Sequence, residues 1–261
     1  MIDLTAAKQA LFTVSIILPR MLAAFAVMPF MGKQILQGLV RNSFAMSLML
    51  VVYPVVAPTV TGDLGSVLVY IAVIAKEVLI GLMIGFLAAI IFWVAENVGF
   101  FIDNQRGTTM ASIVDPMSGE QTSPLGSMIM QTVTVLFLTS GGFLILLNGL
   151  FESYRFWPVL SFFPRFEADF ALSFLRQADR MMRLTALLAS PIIIAVFVSE
   201  LGLGLINRFA PQLNVFFLAM PIKSAVACFI LVVYLSFMIH FFEAEYMEIN
   251  ELFGFLKEVL R

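Results

Sequence analysis

Asp103 and Asp115 are the two side chains of this chain whose type and surroundings best suit a role in proton transfer. Both lie in residues 96–126, the longest polar interruption in the first half of a very apolar sequence. Acidic residues of membrane proteins often form proton relays, which is one interpretation of the two carboxylates. The other is that they cap turns, and Pro116, directly after Asp115, favours this second interpretation.

His240 is the only histidine of the chain, and it directly precedes Phe241 and Phe242 in an apolar run. A catalytic histidine needs an orienting partner and a nucleophile within hydrogen-bond reach. The sequence has no serine or cysteine in a nucleophile-elbow context, no glycine-rich phosphate loop and no cluster at metal-ligand spacing. We therefore expect no enzymatic activity, no catalytic residue, no metal site and no cofactor.

The composition is that of a membrane protein, since 61% of the residues are hydrophobic, 12% are charged and the mean hydropathy is +1.00. A soluble domain has about 45–50% apolar and about 25% charged residues. The formal net charge of −2 argues against nucleic-acid binding, which needs a basic face. We predict an all-α integral membrane protein in which residues 1–261 form a single membrane-embedded domain.

Six apolar blocks reach the roughly 18 residues that a membrane-spanning helix needs. The blocks are 11–31, 43–60, 67–102, 125–150, 185–206 and 213–242. The third block is too long for one span of about 20 residues. It must overrun the bilayer, bend at Gly81 or Gly85, or fold back as a hairpin.

Polar segments connect or follow these blocks. A central loop is predicted at 103–124, an amphipathic helix from about Ala168 to Arg183, and an amphipathic terminal helix in the tail 243–261. Lys33 and Arg41 follow the first block, whereas five arginines follow the fourth: Arg155, Arg165, Arg176, Arg180 and Arg183. In a plain six-span arrangement these two basic loops fall on opposite sides, although basic loops normally share the cytoplasmic side. The conflict favours a protein that is not a simple bundle across the bilayer.

Charged residues also lie inside the apolar blocks. Each would cost about 2.5–3.5 kcal/mol at a bilayer centre. They are Arg20, Lys76, Glu77, Glu96, Glu200 and Lys223. For the first three, a side chain that faces the protein interior or a water-filled path is as good an interpretation as one that extends to the membrane surface or pairs with a neighbour. For Lys223 we expect a buried partner, because Pro221 precedes it by two residues.

Two glycine motifs, Gly81-x-x-x-Gly85 and Gly202-x-Gly204, lie in apolar helical stretches. Such small residues let two helix backbones approach closely. The sequence therefore predicts close helix packing at both motifs.

Two longer motifs carry a resemblance to a known family. They are FIDNQRGTTMASIVDP at 101–116 and NRFAPQLNVFFLAMPIKS at 207–224. Together they resemble the FliR/SpaR/HrcT family, the T subunits of the bacterial type III secretion export apparatus. The residues of the second motif resemble the injectisome branch more than the flagellar one. The residues that match the family's signatures are Asp103, Arg106, Gly107, Arg208, Pro211, Gln212, Asn214, Pro221 and Lys223.

The resemblance implies an architecture and a set of partners. One copy of such a subunit assembles with several copies of two companions, the R and S subunits, into a cone-shaped helical export gate made of bent helical hairpins. The gate lies in the bacterial inner membrane, in contact with lipid and projecting partly to the periplasmic side. The large export-gate subunit and unfolded secretion substrates are further expected partners.

The resemblance also implies that the central loop plugs the export conduit until a substrate enters. We expect apolar side chains of the loop to form the seal and Gly107 and Gly119 to act as hinges. Arg106 is expected to pair with Asp103 or Glu96 at the base of the loop. The residues assigned to gating are Arg106, Gly107, Met110, Ile113, Val114, Asp115, Pro116 and Met117.

Two alternatives remain open. A stand-alone membrane transporter or channel would need no partners. It would have paired broken helices with convergent polar groups, whereas the sequence shows only scattered charges. A scaffold that assembles without gating would keep the partners, and its central loop would merely pack.

Overall fold

The protein is described by a computed structural model, which covers residues 4–32, 37–60, 66–107, 123–161, 170–210 and 215–259. Within these ranges the chain forms seven α-helices. They are α1 (Leu4–Val27), α2 (Gly38–Val56), α3 (Val67–Arg106), α4 (Pro124–Thr139), α5 (Gly142–Phe156), α6 (Phe170–Phe209) and α7 (Val215–Val259). Short 3-10 turns follow α1 and α2, at Pro29–Met31 and Ala57–Thr59. The predicted all-α fold is confirmed.

Five of the described helices are long and apolar enough to cross a membrane, and there are six spans if the bent pair α4 and α5 counts as one. The pair corrects one prediction, because the block at 125–150 is not one continuous helix. The chain breaks at Ser140 and Gly141, and Gly141 has a φ of +84°. Glycine adopts this left-handed conformation without the steric cost that a side chain brings.

Helix α3 decides one of the three alternatives for the overlong third block. It is a single helix of 40 residues. At 1.5 Å per residue it is about 60 Å long, roughly twice the thickness of a hydrocarbon core. The continuous helix excludes the hairpin, while an overrun of the bilayer and a bend at Gly81 or Gly85 stay predictions.

Helices α6 and α7 join segments that the sequence treats as separate. Helix α6, with 40 residues, combines the predicted amphipathic helix with the block at 185–206. Helix α7, with 45 residues, combines the block at 213–242 with the predicted tail helix. Pro191 and Pro221 lie inside these helices without ending them.

The chain divides into two compact units. The first consists of residues 1–90, 141–175 and 247–261, and the second of residues 91–140 and 176–246. The grouping of the whole chain into one domain stays a prediction.

In the first unit, α1 packs closely against α3 at the predicted glycine motif. A Cβ atom added to Gly81 would lie 2.1 Å from the carbonyl oxygen of Arg20, and one added to Gly85 would lie 2.6 Å from that of Ala24. Only glycine permits such backbone contact. The prediction of helix packing at Gly81 and Gly85 is confirmed.

Two oppositely charged residues of the first unit are buried as a pair between α1 and α3. Arg20 on α1 and Glu77 on α3 have no solvent-exposed side-chain surface, and the guanidinium also donates to Ser153 Oγ and to the carbonyl of Trp157, both at 3.0 Å. Buried charges persist in proteins when they are paired and hydrogen-bonded in this way. Arg20 and Glu77 therefore face the protein interior, and they do so as a pair rather than by extending to the membrane surface.

Lys76 extends the same network to the turn after α5. Its Nζ lies 3.0 Å from Glu77 Oε1 and donates to the carbonyls of Pro158, Val159 and Ser161 at 3.2, 2.6 and 3.0 Å. An ammonium group has three donors and no acceptor, so carbonyl oxygens suit it well. Lys76 therefore fixes the path of the chain after α5.

In the second unit, aromatic side chains hold α3, α4 and α7 together. Phe137 contacts Phe92 edge-on at 5.1 Å between ring centroids and Tyr246 at 5.5 Å. The Tyr246 hydroxyl donates to the carbonyl of Val133 at 2.6 Å. A buried tyrosine needs such an acceptor, and this one ties α7 to α4.

The second glycine motif does not pack as predicted. A Cβ atom added to Gly202 or Gly204 would meet nothing within 4 Å among the described residues. Large apolar side chains are exposed around the motif on the same helix: Phe197, Leu201, Leu205 and Ile206. Around this motif, the apolar side chains of α6 thus form a surface that the described part of the chain leaves uncovered.

Candidate functional site

The candidate site lies where the central polar segment leaves α3 and re-enters at α4. The last described residue before the segment is Gly107, and the next is Ser123. The residues predicted to form the seal and its turn lie outside the described residues, and their roles stay predictions: Met110, Ile113, Val114, Asp115, Pro116, Met117 and Gly119.

Asp103, in the last turn of α3, connects both ends of this segment. Its Oδ1 accepts from Arg106 Nε at 2.8 Å, and Arg106 Nη2 also contacts this oxygen. Its Oδ2 accepts from the Ser123 hydroxyl at 2.6 Å and from the backbone N–H of Leu125 at 3.1 Å. Asp103 is 3% exposed, so these charge-assisted hydrogen bonds form largely out of water.

These bonds decide two predictions. Arg106 pairs with Asp103, which is one of the two partners expected for it. Asp103 also accepts from the first turn of α4, where a negative charge is favourable because the N–H groups of a helix start lack helical partners. The hydrogen bonds therefore support the capping interpretation of Asp103 over the proton relay.

Ser123 is a residue of the candidate site that the sequence reasoning missed. It is the N-cap of α4, and its Oγ accepts from Gly126 N–H at 2.9 Å while donating to Asp103. A serine followed by Pro124 is the usual start of a helix, with the cap before proline at the first position. That pattern could have identified Ser123 as a helix start, but not its bond to Asp103.

The sequence reasoning also missed a backbone contact between Gly99 on α3 and Gly126 on α4. A Cβ atom added to Gly99 would lie 2.3 Å from the nitrogen and 2.4 Å from the Cα of Gly126. One added to Gly126 would lie 2.8 Å from the carbonyl oxygen of Glu96. The start of α4 therefore rests directly on the backbone of α3, a contact between distant glycines for which the sequence offers no local signal.

Gly107 ends α3 in a conformation that suits glycine. Its φ is +86°, and its N–H donates to the carbonyl of Asn104 at 3.1 Å. A Cβ atom there would lie 3.9 Å from atoms of Met220, an ordinary contact distance. Glycine is thus favoured here by the backbone conformation and not by a lack of room for a side chain. The role of Gly107 as a hinge stays a prediction.

The C-terminal signature residues do not form a second polar cluster in the part of α6 and α7 that the structure describes. Arg208 and Pro221 are exposed, whereas Lys223 is 9% exposed and its Nζ lies 3.4 Å from Glu200 Oε1. Lys223 is thus buried and paired, but the side chain of Glu200 is 48% exposed, so the prediction of a buried partner is wrong. The remaining signature residues lie outside the described residues: Pro211, Gln212 and Asn214.

Among the residues that the structure describes, no three His, Cys, Asp or Glu side chains are grouped so that they could hold a metal ion. The described part of the site serves as an anchor. The buried carboxylate of Asp103 binds the guanidinium of Arg106, the hydroxyl of Ser123 and a backbone N–H at the start of α4. Such an arrangement fixes chain segments in place.

Comparison with known proteins assigns the chain to a family. The family described as "Bacterial export proteins, family 1" matches residues 11–249. The chain belongs to this family.

Individual export proteins resemble the chain over most of its length. It is 46% identical to the Yop proteins translocation protein T of Yersinia pestis over 87% of both chains. It is 34% identical to the secretion system apparatus protein SsaT of Salmonella typhimurium over 80% of both chains, and 30% identical to the flagellar biosynthetic protein FliR of Bacillus subtilis over 83% of both. The secretion proteins are thus more similar to the chain than the flagellar one.

These matches confirm the resemblance to the T subunits of the type III secretion export apparatus, and to the injectisome branch in particular. The chain is an export protein that crosses the bacterial inner membrane several times and belongs to a complex with other export components. Its family consists of export components rather than enzymes.

Proposed function

We propose that this export protein is the gating subunit of a type III secretion system. It forms part of the conduit through which unfolded proteins cross the inner membrane, and residues 103–124 close that conduit at rest. The observation that carries the proposal is the pair of anchored ends: Asp103 binds both Arg106 at the end of α3 and Ser123 at the start of α4.

Anchored ends suit a closing segment. A loop that only connected two helices would need no buried carboxylate shared between its ends. Between these ends, residues 108–122 combine apolar side chains with one glycine, a composition that can exclude water when packed and yet be displaced by a passing chain. The sealing residues are Met110, Ile113, Val114 and Met117, and Gly107 and Gly119 are the hinges.

The apolar surface of the second unit supports a role inside a larger assembly. In the most apolar windows of α6 and α7, only 22% of the residues are buried within the chain. Exposed apolar surface of this extent is covered by lipid or by other proteins. We infer that the R and S subunits cover it, around one copy of this chain, in a gate that projects partly to the periplasmic side and receives substrates from the large export-gate subunit.

The gating role is tested by replacing residues 109–121 with a short glycine-serine linker in cells that assemble the complex. Ion leakage through the inner membrane should rise, because the seal is lost while the anchors remain. Removing Gly62 and Asp63, from another connection, is the matched control and should leave leakage unchanged. Unchanged leakage of the linker variant, with the complex intact, would mean that the chain is a scaffold whose central segment merely packs.

The assembly is tested by native mass spectrometry of the chain co-expressed with the R and S subunits. A single discrete complex with one copy of the chain is expected. A stable particle of this chain alone would favour the stand-alone transporter and would contradict the proposed assembly.

A further inference from the structure

We propose that the carboxylate of Glu200 on α6 binds a helix of another export component, an apolar helix that carries a hydroxyl or amide side chain. The side chain of Glu200 is 48% exposed and forms an ion pair with Lys223 of α7. Both residues lie in the described part of the second unit. The inference rests on the proposed assembly, since it names the chemistry of one contact within it.

The surface around Glu200 is apolar. The large exposed side chains within five positions of it on α6 are all apolar: Phe197, Val198, Leu201 and Leu205. Hydrocarbon tails offer no hydrogen-bond donor to a carboxylate, and charged residues of apolar segments face protein or water rather than lipid. The carboxylate thus favours a protein over lipid as the cover of this surface.

The ion pair leaves part of its hydrogen-bonding capacity unused. Lys223 Nζ lies 3.4 Å from Glu200 Oε1, a longer distance than the ~2.7–2.9 Å that is usual for a charge-assisted hydrogen bond. Lys223 is the one ion-pair partner of Glu200 among the described residues, although two carboxylate oxygens accept from several donors. Because the pair is neutral overall, an uncharged donor completes it without burying a net charge. Hydroxyl and amide groups are such donors.

Gly204 shows that a helix fits beside this carboxylate. It follows Glu200 by four positions and so lies on the same face of α6, one turn away. A Cβ atom added to Gly204 would meet nothing within 4 Å, so the described part of the chain leaves this space open. An open glycine lets the backbone of another helix approach closely, and Ser, Thr, Asn and Gln side chains form hydrogen bonds across such helix pairs. A helix with one of these residues opposite Glu200 satisfies both features.

Photocrosslinking in the assembled complex tests what covers the surface. Benzoylphenylalanine replaces Phe197, which is exposed one turn before Glu200 on the same face, and the crosslinked peptides are identified by mass spectrometry. The expected product joins α6 to an apolar helix of another export component, within two turns of a hydroxyl or amide side chain. Crosslinks to lipid alone, or to a helix without such a side chain, would overturn the inference.

Gly204→Leu tests the close approach of the partner helix. The described part of this chain has room for the side chain, but the partner helix would be pushed away. The ratio of complex-bound to free chain, measured by native mass spectrometry, should therefore fall about tenfold. Gly202→Leu is the matched control, because Gly202 has the same open space but lies about 200° around the helix from Gly204. Equal ratios in the two variants would overturn the contact.

Glu200→Leu combined with Lys223→Met tests the hydrogen bond. Replacement of both charges by apolar side chains is close to neutral for the chain itself, whereas the donor of the partner helix loses its acceptor. The ratio of complex-bound to free chain should again fall about tenfold. Asp179→Asn combined with Arg183→Gln removes an exposed ion pair of the same helix and should leave the ratio unchanged. An unchanged ratio in the first double variant would overturn the role of Glu200.

The unaltered chain separates this inference from the proposed function. If it forms no complex with the R and S subunits, the proposed assembly fails. If it forms the complex, but the crosslinks or the variants contradict the contact, only the role of Glu200 fails and the proposed assembly stands.

Discussion

Arg20 and Glu77 form a two-pronged ion pair between α1 and α3, 57 positions apart in the chain. Arg20 Nε lies 2.7 Å from Glu77 Oε2 and Nη2 lies 2.9 Å from Oε1, and both side chains are fully buried. The planar guanidinium matches a carboxylate in this geometry, whereas an ammonium would not. The pair therefore determines the register in which the two helices pack.

Glu77→Gln should destabilise the complex strongly, because it leaves Arg20 as a buried charge without its counter-ion. The expected loss is about 3–5 kcal/mol of unfolding free energy, measured as reduced thermal stability in detergent. Glu152→Gln removes an exposed ion pair with Arg155 and should change stability by at most about 1 kcal/mol. Equal effects of the two substitutions would contradict the structural role of the buried pair.

Gly81→Ala should push α1 away from α3, because the new Cβ would lie 2.1 Å from the carbonyl oxygen of Arg20. Backbone atoms cannot give way as a flexible side chain can, so the expected cost is about 1–3 kcal/mol. The measurement is the thermal stability of the purified complex. Gly38→Ala is the control, since a Cβ there would meet nothing within 4 Å. A Gly81→Ala complex as stable as this control would show that the helices do not touch there.

Gly107→Ala should destabilise the end of α3 through its backbone, because φ is +86° and only glycine adopts this region freely. The expected cost is about 1–2 kcal/mol, and Gly107→Asn should cost less because asparagine tolerates this conformation. Amide hydrogen exchange of residues 103–107 measures the effect. Asn104→Ala, in the same turn, is the control. Equal exchange in the alanine and asparagine variants of Gly107 would contradict a conformational origin.

Glu200→Gln should be more harmful than Lys223→Met, although both remove the same ion pair. The first leaves the buried ammonium of Lys223 without the carboxylate 3.4 Å away, whereas the second also removes the buried charge. Truncating only the partner of a buried charge costs more than replacing the charge by an apolar side chain. Yield and thermal stability of the complex measure the difference. The reverse order would show that Lys223 is needed for another contact.

Several features followed from local sequence. The all-α class and most apolar blocks could be predicted because hydropathy and helical length are properties of neighbouring residues. The contact at Gly81 and Gly85 was predictable as well, since small residues four positions apart create a flat helix face. The same reasoning failed at Gly202 and Gly204, whose open surface the sequence could not distinguish from an internal one.

The candidate site also has features that the sequence predicts and features that only the tertiary structure shows. The sequence alone determined the family, through long motifs that match residue by residue, and it singled out Asp103 and Arg106 as the base of the central segment. Only the tertiary structure decided that Asp103 also binds Ser123 and that Gly126 rests on Gly99. These contacts join residues 20 or more positions apart. Which distant partners meet depends on how whole helices pack, and that packing is not encoded in any short stretch of the chain.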